Sequence, residues 1–151
     1  MKKFLLSLIA VACFAFVGQS QDQGDIKFGV GLNLFDISDA VGIQGKAIYG
    51  LSEQLDLSGA FTYWLDDFID FEIDANVQYK GLNVSESFKL QPLAGLSMTR
   101  FSALGFGTTN TALHIGASFR FVLESGMTVY AEPIIIIDDG SGINIAGGIL
   151  F

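Results

Sequence analysis

The residues of this chain that could do chemistry are few and mostly acidic: 16 Asp and Glu stand against 8 Lys and Arg, with one histidine and one cysteine. Asp70, Glu72 and Asp74 alternate with apolar residues in FIDFEIDANVQYK (68–80). Carboxylates at every second position share one face of a strand, where they must find basic partners, protons or cations. His114 has Ser118 four residues on. On a strand those two share a face, and a third, acidic group would complete a hydroxyl-activating set. The plainer reading of His114 is a hydrogen-bonding group inside the fold. The pairs Asp66, Asp67 and Asp138, Asp139 fall in predicted turns, as do Asp36 and Asp39. Together they could offer oxygen ligands to a divalent cation at one rim, but no calcium-loop spacing is present and Asp favours turns in any case. No Cys/His metal spacing and no phosphate loop occurs. No catalytic residue and no cofactor is therefore predicted, and a metal site only as the rim hypothesis at Asp66, Asp67, Asp138 and Asp139.

The elements that must position these groups are strands. Ile69, Phe71, Ile73, Ala75, Val77 and Tyr79 alternate with Asp70, Glu72, Asp74, Asn76, Gln78 and Lys80, a period of two with one apolar and one polar face. The same period runs through 26–34, 41–51, 55–64, 87–99, 112–122, 127–137 and 142–151, with turn residues between, such as Glu124-Ser125-Gly126. Residues 100–110 form the longest predicted connection. No helical period of 3.6 appears after residue 20, and the strands number eight.

The start of the chain reads differently. Lys2 and Lys3, the apolar run from Phe4 to Val17, and Gly18-Gln19-Ser20 have the order of a secretory signal peptide. Residues 1–20 are thus predicted to be removed and 21–151 to form one domain of about 131 residues. Cys13 lies within the leader, so the mature chain would hold no thiol and make no disulfide. Without Lys2 and Lys3 there are 6 basic and 16 acidic residues, a net charge of about −10, which excludes the basic footprint of a nucleic-acid binder. Half the residues are hydrophobic yet only 16% are charged, against roughly 25% in an ordinary soluble domain. A transmembrane barrel has this composition, because only alternate residues need be apolar.

Face assignment supports that class. With strands antiparallel and alternating in direction, Tyr49, Tyr79, Phe88, Phe121 and Phe151 fall at one predicted interface, the periplasmic one. Tyr63 and Phe71 fall at the other. The same face carries Val30, Ile43, Leu57, Ala75, Ala94, Ala117 and Ile145 between them. Aromatic girdles around an aliphatic band mark a lipid-facing surface. The inward face then holds Lys27, Lys46, Asp56, Asp70, Glu72, Asp74, Lys89, Arg120 and Glu132. Eight strands enclose only enough room for side chains, so these charges are expected to pair as a network. Arg120 and Glu132 are expected to meet across the hairpin at Ser125. Pro92 and Pro133 lie on the lipid-facing parity and should weaken the ladder locally.

QPLAGLSMT (91–99), YAEPIIII (130–137) and the ending INIAGGILF resemble the small, porin-like outer-membrane β-barrel domain proteins of Gram-negative bacteria. Ile143, Ile145, Gly147, Ile149 and Phe151 alternate up to a terminal Phe. The resemblance implies an eight-stranded antiparallel up-and-down barrel, an outer-membrane location with outer-membrane lipids as surroundings, and Phe151 as the residue read by the barrel-assembly machinery. It implies no reaction. The outer-membrane lipid-A deacylases use a His-x-Ser pair, and here Gly116 stands at the second position after His114. The reading that follows is a structural or membrane-organising barrel with a filled polar interior. A narrow porin-like channel is the alternative. A periplasmic soluble barrel carrying an apolar ligand ranks below it, because Asp70, Glu72 and Asp74 would spoil an apolar interior.

Overall fold

The computed structural model describes residues 24–36, 39–103, 106–137 and 142–151; the predicted leader, Asp138 and Asp139 lie outside them. Among the described residues there are eight long strands: β1 (Ile26–Phe35), β2 (Ala40–Gly50), β3 (Leu55–Trp64), β4 (Ile69–Tyr79), β5 (Phe88–Ala103), β6 (Phe106–Val122), β7 (Thr128–Ile137) and β8 (Ile143–Leu150). A two-residue ladder, Leu82–Asn83, folds back on Leu90 and Lys89. Every long strand pairs antiparallel with its sequence neighbours, and β1 pairs with β8 from Gly29↔Leu150 to Phe35↔Asn144. Reciprocal bonds between Phe28 and Phe151 (3.1 and 2.8 Å) extend that seam. The sheet is closed and no helix occurs among the described residues. Closure removes the edges that lipid could not satisfy.

The turns are encoded locally. Asp66 Oδ1 accepts from the amides of Phe68 (2.8 Å) and Ile69 (3.2 Å). Ser85 Oγ takes the amide of Phe88 at 3.0 Å. Gly126 supplies a φ of 84° in the β6–β7 turn, a left-handed conformation that costs glycine nothing.

Burial alternates as the period of two requires, but inverted relative to a protein in water. Asn33, Gln44, Lys46, Asp56, Thr62, Gln78, Ser118, Arg120 and Glu132 are buried, while Val30, Ile43, Leu57, Tyr63, Leu113, Phe121, Ile135 and Ile145 are exposed. In water so continuous an apolar surface would aggregate; against hydrocarbon it is the stable face. Of the expected girdle residues, Tyr49, Tyr79, Phe121 and Tyr63 are exposed and Phe71, Phe88 and Phe151 are half-buried. Phe88 packs against Phe121, their tilted rings 4.6 Å apart. Phe61, between Gly45 and Ile73 in the ladders, also faces outward, so aromatics are not confined to two heights.

Two local expectations are corrected. Residues 100–103 and 106–110 are strand rather than loop: β5 and β6 continue as a ribbon, pairing through Arg100↔Thr109 to Ala103↔Phe106, as the Thr-rich, β-favouring sequence allows. The alternation in β4 also breaks. Its register with β5 shifts between Ile69 and Phe71, and this bulge turns Ile69 inward, where it is only 3% exposed. The prolines sit as expected on the outside, and the β6–β7 ladder lacks the pairs opposite Glu132 and Pro133.

Candidate functional site

The candidate site is the interior, and it has two storeys. One lies toward the end carrying Gly24 and Phe151, here called the terminal end; the other lies toward the opposite, far end.

In the terminal storey, Lys46 on β2 pairs with Glu132 on β7, reaching across the β1–β8 seam; both side chains are essentially fully buried. The Lys46 ammonium also lies 5.0 Å from the centre of the Tyr130 ring, a favourable cation–π placement. The Tyr130 hydroxyl donates to Gln44 Oε1 at 3.0 Å. Arg120 on β6 donates to Asp56 Oδ2 on β3 (3.4 Å), to Ser118 Oγ (3.2 Å) and to Gln78 Oε1 on β4. Gln78 in turn donates to Ser58 Oγ (3.0 Å) and Glu132 Oε1 (3.5 Å). Lys80 closes the set at the rim, 3.1 Å from Asp56. Burying ions in this way is tolerable only because each meets an opposite charge and further hydrogen bonds.

In the far storey, Glu72 accepts from Asn144 Nδ2, on the diametrically opposite strand β8, and from Thr99 Oγ1, both at 3.1 Å. Asp74 lies against Glu72. Asn33 Nδ2 and Gln44 Nε2 donate to Thr62 Oγ1 at 3.4 and 3.3 Å. Above them Trp64, Ala40 and Ile69 form an apolar plug, with Phe35 and Phe101 packed on it. The bulge in β4 is what supplies Ile69 to this plug.

The structure thus brings together Lys46, Asp56, Arg120 and Glu132, and places Glu72 and Asp74 above them. Lys27 and Lys89 are half-buried at the terminal end, close enough to each other and to Arg120 for their charges to be felt. Asp70 is not part of the interior: as the bulge residue it is displaced, and its Oδ2 accepts from Ser102 at 2.5 Å. Arg120 and Glu132 do not meet directly. The register sets Arg120 opposite Tyr130, and each finds its counter-ion on another strand, with Gln78 between them. His114 is not near a rim, because β6 begins at Phe106. It is 2% exposed and bonds Asn76 through Nε2. Asp66 is committed to its turn, and among the described residues no group of three or more His, Cys, Asp or Glu is placed to hold a metal ion.

Reading charges alone missed the neutral bridges. Gln44, Gln78, Asn144 and Tyr130 connect the ions, and Trp64 caps them. Their inward parity was visible in the alternation, but their partners lie on strands that no local pattern relates.

No protein-family model matches the chain, and no curated protein matches it in sequence. Among solved structures it is similar to the N-terminal β-barrel domain of OprF from Pseudomonas aeruginosa: 15% identity, 85% of this chain and 98% of that one covered, TM-score 0.69. It is similar also to a barrel from the de novo design of transmembrane β-barrels, with 18% identity, 88% and 98% covered, and a TM-score of 0.62. A third is Ail, the attachment invasion locus protein of Yersinia pestis, in a phospholipid bilayer nanodisc: 18% identity, 85% and 100% covered, TM-score 0.51. At these identities the likeness is one of fold, and the fold is that of the small eight-stranded transmembrane barrels. The chain has the fold of a transmembrane β-barrel.

Proposed function

We propose that this chain is a small integral barrel of the outer membrane whose role is structural or membrane-organising, with no open pore and no catalysis. The observation that carries this reading is the interior itself. The Lys46–Glu132 pair, Gln78, Arg120 and Asp56 bridge strands on all sides of the terminal storey, and Trp64, Ile69 and Phe101 pack across the far one. Eight strands leave little room beyond what such side chains fill. His114, the only histidine of the chain, has no access to substrate at 2% exposure. On this reading residues 1–20 direct export, the barrel-assembly machinery acts through the C-terminal strand ending at Phe151, and membrane lipids are the main partners.

Conductance of the purified, folded barrel in planar bilayers is the test. The expected result is no discrete steps at any applied voltage. Reproducible single-channel steps would replace this reading with that of a narrow solute or ion channel.

A further inference from the structure

The two storeys of the interior are not equally neutralised. In the terminal storey Glu132 has Lys46, and Asp56 has both Arg120 and Lys80. In the far storey Glu72 and Asp74 are 2% and 6% exposed, and neither makes an ion pair among the described residues. Two carboxyl groups in contact inside a barrel, in surroundings of low polarity, cannot remain a bare double anion.

A second feature of the same storey points to what neutralises them. Asn144 and Asn33 are 3% and 1% exposed, and in both the side-chain oxygen Oδ1 is buried with no hydrogen-bond partner. The Asn144 amide is already held against the Glu72 carboxylate by its nitrogen at 3.1 Å. The Asn33 amide rests on Thr62, the cross-strand neighbour of Glu72. A buried carbonyl oxygen left unpaired keeps the full penalty of its lost hydration. Two of them in one storey, beside two acids that form no ion pair and feel only the Lys46 ammonium from the storey below, describe a space short of positive charge. A donor there would have to satisfy oxygens only.

We propose that Glu72, Asp74, Asn144 and Asn33 form an internal site for one hard divalent cation of the Ca²⁺ type, with the hydroxyls of Thr62 and Thr99 nearby. The donor set is all oxygen, as such an ion requires, and flexible in number. Two carboxylates match a charge of two. The four residues come from β4, β8 and β1, so an ion held between them ties opposite walls of the barrel together. The plug of Trp64 and Ile69 lies over the site, so the ion is acquired as the barrel folds and exchanges slowly afterwards.

Trp64 is the only tryptophan in the chain, which makes Tb³⁺, a luminescent stand-in for Ca²⁺, the probe of choice. The full barrel is refolded in detergent with Tb³⁺, freed of unbound ion, and excited through Trp64. The expected result is sensitised Tb³⁺ emission that saturates at one ion per chain and is competed by Ca²⁺ present during refolding. The affinity should fall about ten- to a hundredfold or more in Glu72→Gln/Asp74→Asn, given what loss of supporting groups alone costs a metal site. It should be unchanged in Asp66→Asn/Asp67→Asn. Absence of emission, or emission lost only in the Asp66/Asp67 variant, overturns the proposal. A measurement on the unaltered protein guards against a variant that does not fold. Barrel refolded with Ca²⁺ should unfold at a higher urea concentration than barrel refolded with EDTA. Equal midpoints would overturn the site and mean that the two carboxyls are neutralised by a proton.

Discussion

The terminal and far storeys of this barrel solve the same problem in different ways. Both must fill a narrow, water-poor space with side chains whose faces are dictated by the pleat. The terminal storey does it with ions of both signs, cross-linked by Gln78 and overlaid by Tyr130. The far storey does it with acids and neutral amides beneath an apolar cap. The difference teaches that burial of charge is set by the availability of partners rather than by depth. Lys46 and Glu132 sit as deep as Glu72, yet only the first two neutralise one another.

The comparison can be broken most sharply at Glu132. Glu132→Ala leaves Lys46 buried without its counter-ion and should cost about 3–5 kcal/mol, read as a lower urea midpoint in detergent-folded protein. The double replacement Lys46→Met/Glu132→Leu should recover most of that loss, because removing both charges also removes both desolvation penalties. If the double variant is as unstable as the single one, the terminal storey is held by something other than this pair.

At the far end, Trp64→Ala should cost about 3 kcal/mol through the cavity it leaves, yet the barrel should remain non-conducting in planar bilayers because the terminal storey is intact. Conductance in this variant would move the seal to the far end. Gly95→Ala probes the packing between the storeys. An added Cβ would lie 2.2 Å from the Ala75 carbonyl oxygen and 2.2 Å from Asn76 Oδ1, so about 1–3 kcal/mol of overpacking is expected in the same urea assay. The smallest effect belongs to the rim. Lys80→Ala removes one partner of Asp56 but leaves Arg120 in place, and the midpoint should fall by no more than about 1 kcal/mol in equivalent energy.

Much of the fold was legible in the residues. Strand count, antiparallel order and the outward placement of Val30, Ile43, Leu57 and Ile145 follow from a period of two interrupted by turn residues. The ribbon at 100–103 and 106–110 was not legible, because Gly and Thr read equally as loop or strand until a partner strand is present. The inward turn of Ile69 was not legible either, since a bulge is a property of the ladder between β4 and β5. Of the interior charges, Lys46, Asp56, Glu72, Asp74, Arg120 and Glu132 could be assigned to one face in advance. Asp70 shared their parity and lost it to the same bulge.

What the sequence by itself determined is therefore which side of the wall each residue faces. In an extended chain the direction of a side chain is a local property, decided every second residue by the backbone. What only the tertiary structure decided is which inward groups meet. Closure into a barrel brings β2 to β7 across the seam, β3 to β6 across the interior and β4 to β8 across its diameter. That is why Glu132 finds Lys46 rather than Arg120, and why Asn144 reaches Glu72 from the far wall.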